Sequence, residues 1–312
     1  MLEKIVVVKK ATQLEELLRR HSTISQAKFY LESRGDSFEQ CQISHEIYHE
    51  GIRQILASIP KTARLQVLDR SHIETYQFGE KDLVVPLGDP GLVANVGKYV
   101  GHQPVLSINP DPEHFASTFA AGTPATFPYL LPRAMVGDLP IETLTLAEAR
   151  LDNGQVLLGL NEIFIGKPDQ TSALYALEYD GKKEKQSSSG LIAATGSGST
   201  AWLSSIMTNA YKLAGVPIFD SLFSFPRDAP YLTFAVREAF MAPGMGDTLL
   251  HGQISRERPL RVTSLMAENG IIASDGITSD YLEFNRGRSA TIMPSDKKVY
   301  LVKNQVVKNQ KQ

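Results

Sequence analysis

The sequence predicts an α/β domain with a parallel sheet, followed by a β-rich, sandwich-like domain. Two observations lead to that reading. Strand-length apolar runs alternate with helical periodicity over the first third, whereas a Pro/Gly-rich passage introduces closely spaced strand-like runs. The length of 312 residues also exceeds one typical domain.

In the first region Ile5 to Val8 reads as a buried strand, and Leu14, Leu17 and Leu18 as one helix face. Ile43, Ile47, Gly51, Ile52 and Ile55 continue at helical spacing from about Asp36 to Ser58. Leu65 to Leu68, Asp82 to Leu87 and Pro104 to Ile108 read as further strands. The last two end at Gly88-Asp89-Pro90-Gly91 and at Asn109, where a parallel sheet places ligand-binding loops. The texture changes after Ala121. Gly122, Pro124, Pro128, Pro132 and Pro140 mark a loop-rich passage. Strand-like runs follow at Leu157 to Ile165, Ala173 to Tyr179 and Leu191 to Ala194, with a hairpin turn at Asp180-Gly181. Leu260 to Leu265, Gly270 to Ser274, Ala290 to Met293 and Lys298 to Val302 look alike, and one helix follows Ala201. The domains are therefore placed at 1–120 and 121–312, with a polar, frayed tail from Lys303 that is free to pack back on the first.

Composition narrows the function classes. Lys and Arg (32) nearly balance Asp and Glu (34), which gives no electrostatic argument for nucleic acid or a membrane surface. Cys41 is alone, so neither a disulfide framework nor a cysteine metal cluster is expected, and a reducing cytoplasm fits. The start of the chain reads directly as a strand, with no leader pattern, and no run has membrane-spanning length.

The segment Ser187 to Ser205 is the most informative. An apolar run meets a turn of Gly, Ser and Thr and then a helix, a junction that gathers small hydroxyls and free N–H groups where the helix dipole favours anions. No Lys precedes Ser199 or Thr200, so the P-loop pattern fails; Gly196, Gly198 and Ala201 fit G-x-G-x-x-A, with Asp220 near the place of a ribose-binding acid. A plain strand–turn–helix junction is the competing reading. Asp89 can orient or deprotonate a substrate hydroxyl, or belong to a simple surface turn. Asn161-Glu162 is a polar pair in an apolar run that needs internal partners or a ligand, and Asp275-Gly276 reads as a turn. His45-Glu46-Ile47-Tyr48-His49 matches H-E-x-x-H, but Ile52 stands where the longer zinc-protease motif needs Gly. Only Glu74 or Glu80 offers a third ligand in this reading, so an amphipathic helix is preferred and no metal residue is assigned.

Taken in order, these segments resemble the NAD kinases, especially the mitochondrial-type branch and its bacterial relatives, with the NAD kinase/diacylglycerol kinase-like fold. The similarity rests on Leu87-Gly88-Asp89-Pro90, on Asn109-Pro110-Asp111-Pro112-Glu113, on Asn161-Glu162 within G-L-N-E-I-F-I-G, and on Thr195 to Trp202. Glu184-Lys185-Gln186, Ser188 to Leu191, and Ser274-Asp275-Gly276 leading to Glu283-Phe284-Asn285 extend it along nearly the whole chain. The resemblance implies NAD bound between the domains, a homodimer, and transfer of a phosphoryl group from ATP or polyphosphate, with Mg²⁺ or another divalent cation, to the 2′-hydroxyl of the adenosine ribose. It implies Asp89 as the catalytic residue, with Gly88, Gly91 and Asn109 as cofactor-binding residues and Asn109 helping to shape the cleft. By the same resemblance Asn161 and Glu162 hold the dinucleotide, Thr200, Ala201, Trp202 and Ser204 line the adenosine pocket, and Thr195, Gly196, Ser197, Gly198 and Ser199 lie near phosphate. Leu87 and Pro90 replace glycines of the family's loop, so the alternative is an NAD(P)-binding homologue with weak or no catalysis. A lipid or sugar kinase of related architecture is a remoter class.

Overall fold

A computed structural model describes residues 2–218 and 223–303. Asp220 and the tail beyond Lys303 lie outside the described residues. The chain divides into two compact units, 1–142 with 300–312, and 143–299.

The first unit begins with β1 (Lys4–Lys9), followed by α1 (Gln13–His21), α2 (Ile24–Glu32) and α3 (Phe38–Ser58). It continues through β2 (Arg64–Asp69), β3 (Asp82–Pro86), α4 (Pro90–Gly97), β4 (Pro104–Val105) and α5 (Phe127–Val136). Its strands run parallel in the order β2-β1-β3-β4. Ile5, Val6, Val7 and Val8 are all buried, as a central strand covered on both faces requires. The chain leaves β1 for β2 on one side and returns to β3 on the other. That reversal is the topological switch point of the sheet, where open α/β folds bind ligands beyond the strand C-termini.

Residues 121–142, assigned from composition to the second domain, belong to the first unit. Pro124 and Pro140 lie outside helix and strand as expected, but Pro128 and Pro132 do not. Pro128 sits in the first turn of α5, where its missing N–H breaks no bond, and Pro132 lies inside the helix. Burial of Phe127, Leu131 and Ala134 in the core with Ile5, Leu83 and Ile108 outweighs the lost hydrogen bond.

The second unit contains β5 (Ile141–Leu151, from Thr143 onward), β6 (Val156–Gly159), β7 (Glu162–Gly166), β8 (Ala173–Tyr179), β9 (Lys182–Ser188) and β10 (Leu191–Ala194). After α6 (Trp202–Leu213) come β11 (Leu232–Val236), β12 (His251–Ile254), β13 (Leu260–Ser264), β14 (Ile271–Ser274), β15 (Ile277–Glu283) and β16 (Ser289–Val302, in this unit as far as Val299). One antiparallel layer runs β12-β11-β10-β7-β14-β15, and the other runs β16-β13-β8-β9 with β5 and β6 alongside. Ile163, Leu191 and Phe234 from the first layer share a core with Leu177, Val262 and Ile292 from the second, so the unit is a sandwich. Leu203 of α6 packs on the outer face, against Ile192 and Ala194.

Asp180 and Gly181 both have positive φ, 52° and 74°, as the two-residue turn of the β8–β9 hairpin demands. The run Leu157 to Ile165 is not one strand. It breaks at Leu160-Asn161, for a reason found in the site itself.

Candidate functional site

The candidate residues fall into one cluster in each unit. In the first, β3 passes through Leu87 and Gly88 to Asp89, the N-cap of α4. The Asp89 carboxylate accepts the Leu92 N–H at 2.9 Å. Pro90 follows at the first helical position, where a proline's fixed φ suits the helix and its missing N–H breaks no intrahelical bond. Gly91 is exposed in the same turn. The other carboxylate oxygen of Asp89 accepts a hydrogen bond from the Lys10 ammonium, which stands immediately after β1.

Lys10 and Asp89 thus meet at the switch point between β1 and β3. Burial opposes ionisation of Asp89, but the Lys10 ammonium and the Leu92 N–H outweigh it and hold the carboxyl below its ordinary range. Tyr48 of α3 fixes this corner: its hydroxyl donates to the Leu87 carbonyl at 3.0 Å and accepts the Lys10 N–H at 2.9 Å. Burial pushes the Tyr48 phenol well up, so it stays neutral. A cavity of about 420 Å³, lined by Lys10, His45, Tyr48, Asp89 and Asp111 among others, opens at these strand ends.

Leu87 belongs to the core. Its side chain is fully buried in the core with Ile5, Val85 and Ile108, and its N–H bonds the Val8 carbonyl at 2.9 Å. The bulk that replaces glycine is turned away from the loop surface. Asn109 is buried and engaged within its own loop, its amide donating to the Phe115 carbonyl at 2.9 Å and accepting the Asp111 N–H at 3.0 Å. It does not itself line the cavity; it ties together Asp111 and Phe115, which do.

In the second unit, β7 lies between β10 and β14, so Asn161-Glu162, the Thr195 to Thr200 turn and Asp275 converge at one end of the sheet. Asp275, at φ 55°, receives the N–H groups of Leu160 at 2.9 Å, Asn161 at 2.7 Å and Glu162 at 3.2 Å. Those three bonds replace ladder partners and explain the break between β6 and β7. Reading Asp275 as a turn residue was correct for its backbone and missed its carboxylate. Glu162 is buried, and burial followed by the Asp275 charge pushes its carboxyl up to about 8. It is therefore mostly neutral at pH 7 and able to donate a hydrogen bond.

The glycine-rich turn is bound tightly to this pair. Thr195 donates its N–H to the Asn161 carbonyl and its hydroxyl to the Leu160 carbonyl. The same hydroxyl oxygen accepts the N–H groups of Ser197 at 3.1 Å and Gly198 at 3.2 Å, so two of the donors expected for phosphate are already used internally. The Ser199 hydroxyl donates to the Gly196 carbonyl at 2.7 Å. By contrast, the buried Ser197 hydroxyl has no partner among the described residues. Thr200 and Ala201 are exposed, and Ser204 is half-buried at the start of α6. Trp202 stacks on Phe164 at 5.5 Å between ring centroids, with the Arg237 guanidinium over its ring.

A Cβ at Gly198 would stand 2.0 Å from the Asn161 carbonyl oxygen, and one at Gly196 would stand 1.9 Å from that of Pro226. These glycines are there for close approach of backbone to backbone. Gly198→Ala should lower the unfolding free energy by about 3 kcal/mol, measured by urea denaturation, since neither side of the contact is a flexible side chain.

Glu162 carries a pH prediction with a definite sign. Between about pH 4.5 and 8 the folded chain holds a proton there that the unfolded chain has released, so this group's stability penalty grows as pH rises and levels off above 8. Glu162→Gln should remove a slope worth on the order of a few kcal/mol across that window. Paired melting curves would show the variant gaining on the wild type as pH rises; parallel curves would mean Glu162 ionises normally.

No family model and no curated protein matches the sequence. Solved structures match its fold. Yeast NADH kinase, complexed with NADH, superposes with a TM-score of 0.58 at 14% identity, over 97% of this chain and 84% of that one. An NAD kinase from Archaeoglobus fulgidus, in complex with ATP, gives 0.54 at 17% identity, over 97% and 94%. The chain has the fold of the NAD kinases. Within the NAD kinase fold, Lys10, Tyr48 and Glu15 are the residues sequence reasoning passed over. Lys10 carried one usable signal, its position directly after an apolar strand, where parallel sheets place ligand contacts. Tyr48 and Glu15 carried none, because their partners lie 39 and 34 residues away in the chain.

Proposed function

We propose that this protein is an NAD kinase, transferring a phosphoryl group from ATP or polyphosphate to the 2′-hydroxyl of the adenosine ribose of NAD. The observation that carries the reading is Asp89, held as an ionised N-cap beside Lys10 at the switch point and open on a cavity. Its carboxyl lies below the ordinary range, which makes it a weak base and a good orienting acceptor for a hydroxyl.

In the reaction the 2′-oxygen forms a bond to the γ-phosphorus while the bond from that phosphorus to the β,γ-bridging oxygen breaks, and ADP leaves. The hydroxyl proton passes to Asp89 or to solvent as the bond forms. A loose transition state asks little base strength and much positioning, which suits a carboxylate fixed by a helix N–H and an ammonium. Lys10 supplies positive charge toward phosphate oxygens. A divalent cation arriving with ATP needs one or two carboxylates besides the phosphates, and the cavity wall offers Asp89 and Asp111.

In the second unit, Glu162 as a neutral donor, the unpartnered Ser197 hydroxyl and the Asn161 side chain hold the dinucleotide, with Thr200, Ala201, Trp202 and Ser204 toward the adenosine. Assembly as a homodimer belongs to the same reading. Leu87 and Pro90 have structural places of their own, one filling the core and the other starting α4. The test is NADP formation from NAD with ATP and Mg²⁺, coupled to an NADP-specific dehydrogenase, with polyphosphate as a parallel donor. Measurable NAD binding without turnover on either donor would leave the binding-protein reading in its place.

A further inference from the structure

The H-E-x-x-H segment has a feature that phosphoryl transfer does not use. His45 and His49 lie one turn apart on the same face of α3, with ring centroids 4.3 Å apart. The third group comes from α1. Glu15 Oε1 stands 3.1 Å from His49 Nε2, and one ligand atom from each of Glu15, His45 and His49 lies within 4.8 Å of the other two. Neither Glu74 nor Glu80 joins them. We propose that Glu15, His45 and His49 form a binding site for a Zn²⁺-like divalent transition-metal ion, clamping α1 to α3 beside the cavity that His45 lines.

The donor set fits that class of ion. Two imidazoles and one carboxylate suit zinc rather than magnesium, which takes oxygen ligands. Ligand atoms around a tetrahedral zinc are about 3.3 Å apart at ordinary bond lengths, close to the Glu15–His49 separation. There the metal would take the place of the proton the two atoms now share. His45 offers the third ligand atom within 4.8 Å of the other two.

The supporting partners are those that orient metal ligands. The Thr12 hydroxyl is 2.7 Å from His45 Nδ1, and the second oxygen of Glu15 accepts the Thr12 N–H at 2.8 Å. Glu15 and His49 are about one-third exposed, which leaves a path for the ion and a fourth position for water. The glutamate within the motif plays no part. Glu46 is exposed and bonds Gln42 at 3.0 Å one turn earlier, so the arrangement is not that of a zinc protease.

The test uses the full chain, stripped with a chelator, in buffer containing Mg²⁺ so that sites for phosphate-bound cations are saturated. Co²⁺ absorption and Zn²⁺ titration against a competing chelator should show one ion per chain. His45→Ala and His49→Ala should each weaken binding at least 100-fold, and Thr12→Val about 10-fold. Glu15→Gln is the decisive variant, since glutamine can keep the capping box of α1 while removing the carboxylate. It should weaken binding at least 10-fold with an unchanged metal-free melting temperature, while Glu46→Gln binds as the wild type does. Zn²⁺ should also raise the wild-type melting temperature and leave that of the His45→Ala/His49→Ala double variant where it was. Wild-type binding no tighter than that of the double variant, or equal binding by Glu15→Gln, overturns the proposal.

Discussion

Asp89→Asn should reduce NADP formation by about 10²- to 10⁴-fold while leaving the dissociation constant for NAD within a few-fold of wild type. The substitution is chosen for what it preserves. Asparagine caps a helix as well as aspartate does, so the bond to the Leu92 N–H survives and α4 keeps its start. What disappears is the negative charge that Lys10 and Leu92 hold ionised, and with it the acceptor for the 2′-hydroxyl proton. Asp89→Ala would add the loss of the cap, about 1 kcal/mol, and confuse folding with chemistry. Steady-state kinetics beside equilibrium NAD binding make the comparison. Equal turnover in the asparagine variant would remove Asp89 from the mechanism.

Leu87→Gly should destabilise the chain by about 3–6 kcal/mol without raising turnover, a large part of the stability of an ordinary domain. From sequence, glycine at this position looks like a repair of the family's loop. In the structure the side chain is fully buried among Ile5, Val85 and Ile108, so deleting it leaves a cavity beneath the residue before Gly88. Pro90→Gly should cost only about 1 kcal/mol, through the greater freedom of the unfolded chain. Urea unfolding of the two variants separates these cases. A Leu87→Gly variant as stable as the wild type and faster would show that the leucine obstructs the loop.

The local features were legible because each follows from chemistry within a few residues. Ile5 to Val8 reads as a central strand from composition alone, and Asp180-Gly181 as a hairpin turn from its tolerance of positive φ. The Gly/Ser/Thr turn before α6 announced itself in the same way. Proline misled, since Pro128 and Pro132 sit within a helix whose stability comes from packing of Phe127 and Leu131 on a distant sheet. The break between β6 and β7 was invisible too, because its cause, Asp275, lies more than a hundred residues along the chain.

Order along the chain was therefore enough for the fold class and the resemblance to NAD kinases, and it nominated Asp89, Asn161-Glu162 and the Thr195 to Trp202 segment as candidates. It could not supply the partners that set their chemistry. Lys10 holds Asp89 ionised because β1 and β3 are neighbours in the sheet, and burial, with the Asp275 charge that β14 brings beside β7, raises the Glu162 carboxyl. Glu15 reaches His49 because α1 packs on α3. Propensity and turn chemistry act over a few residues, whereas charge and burial act through space between residues that only folding brings together.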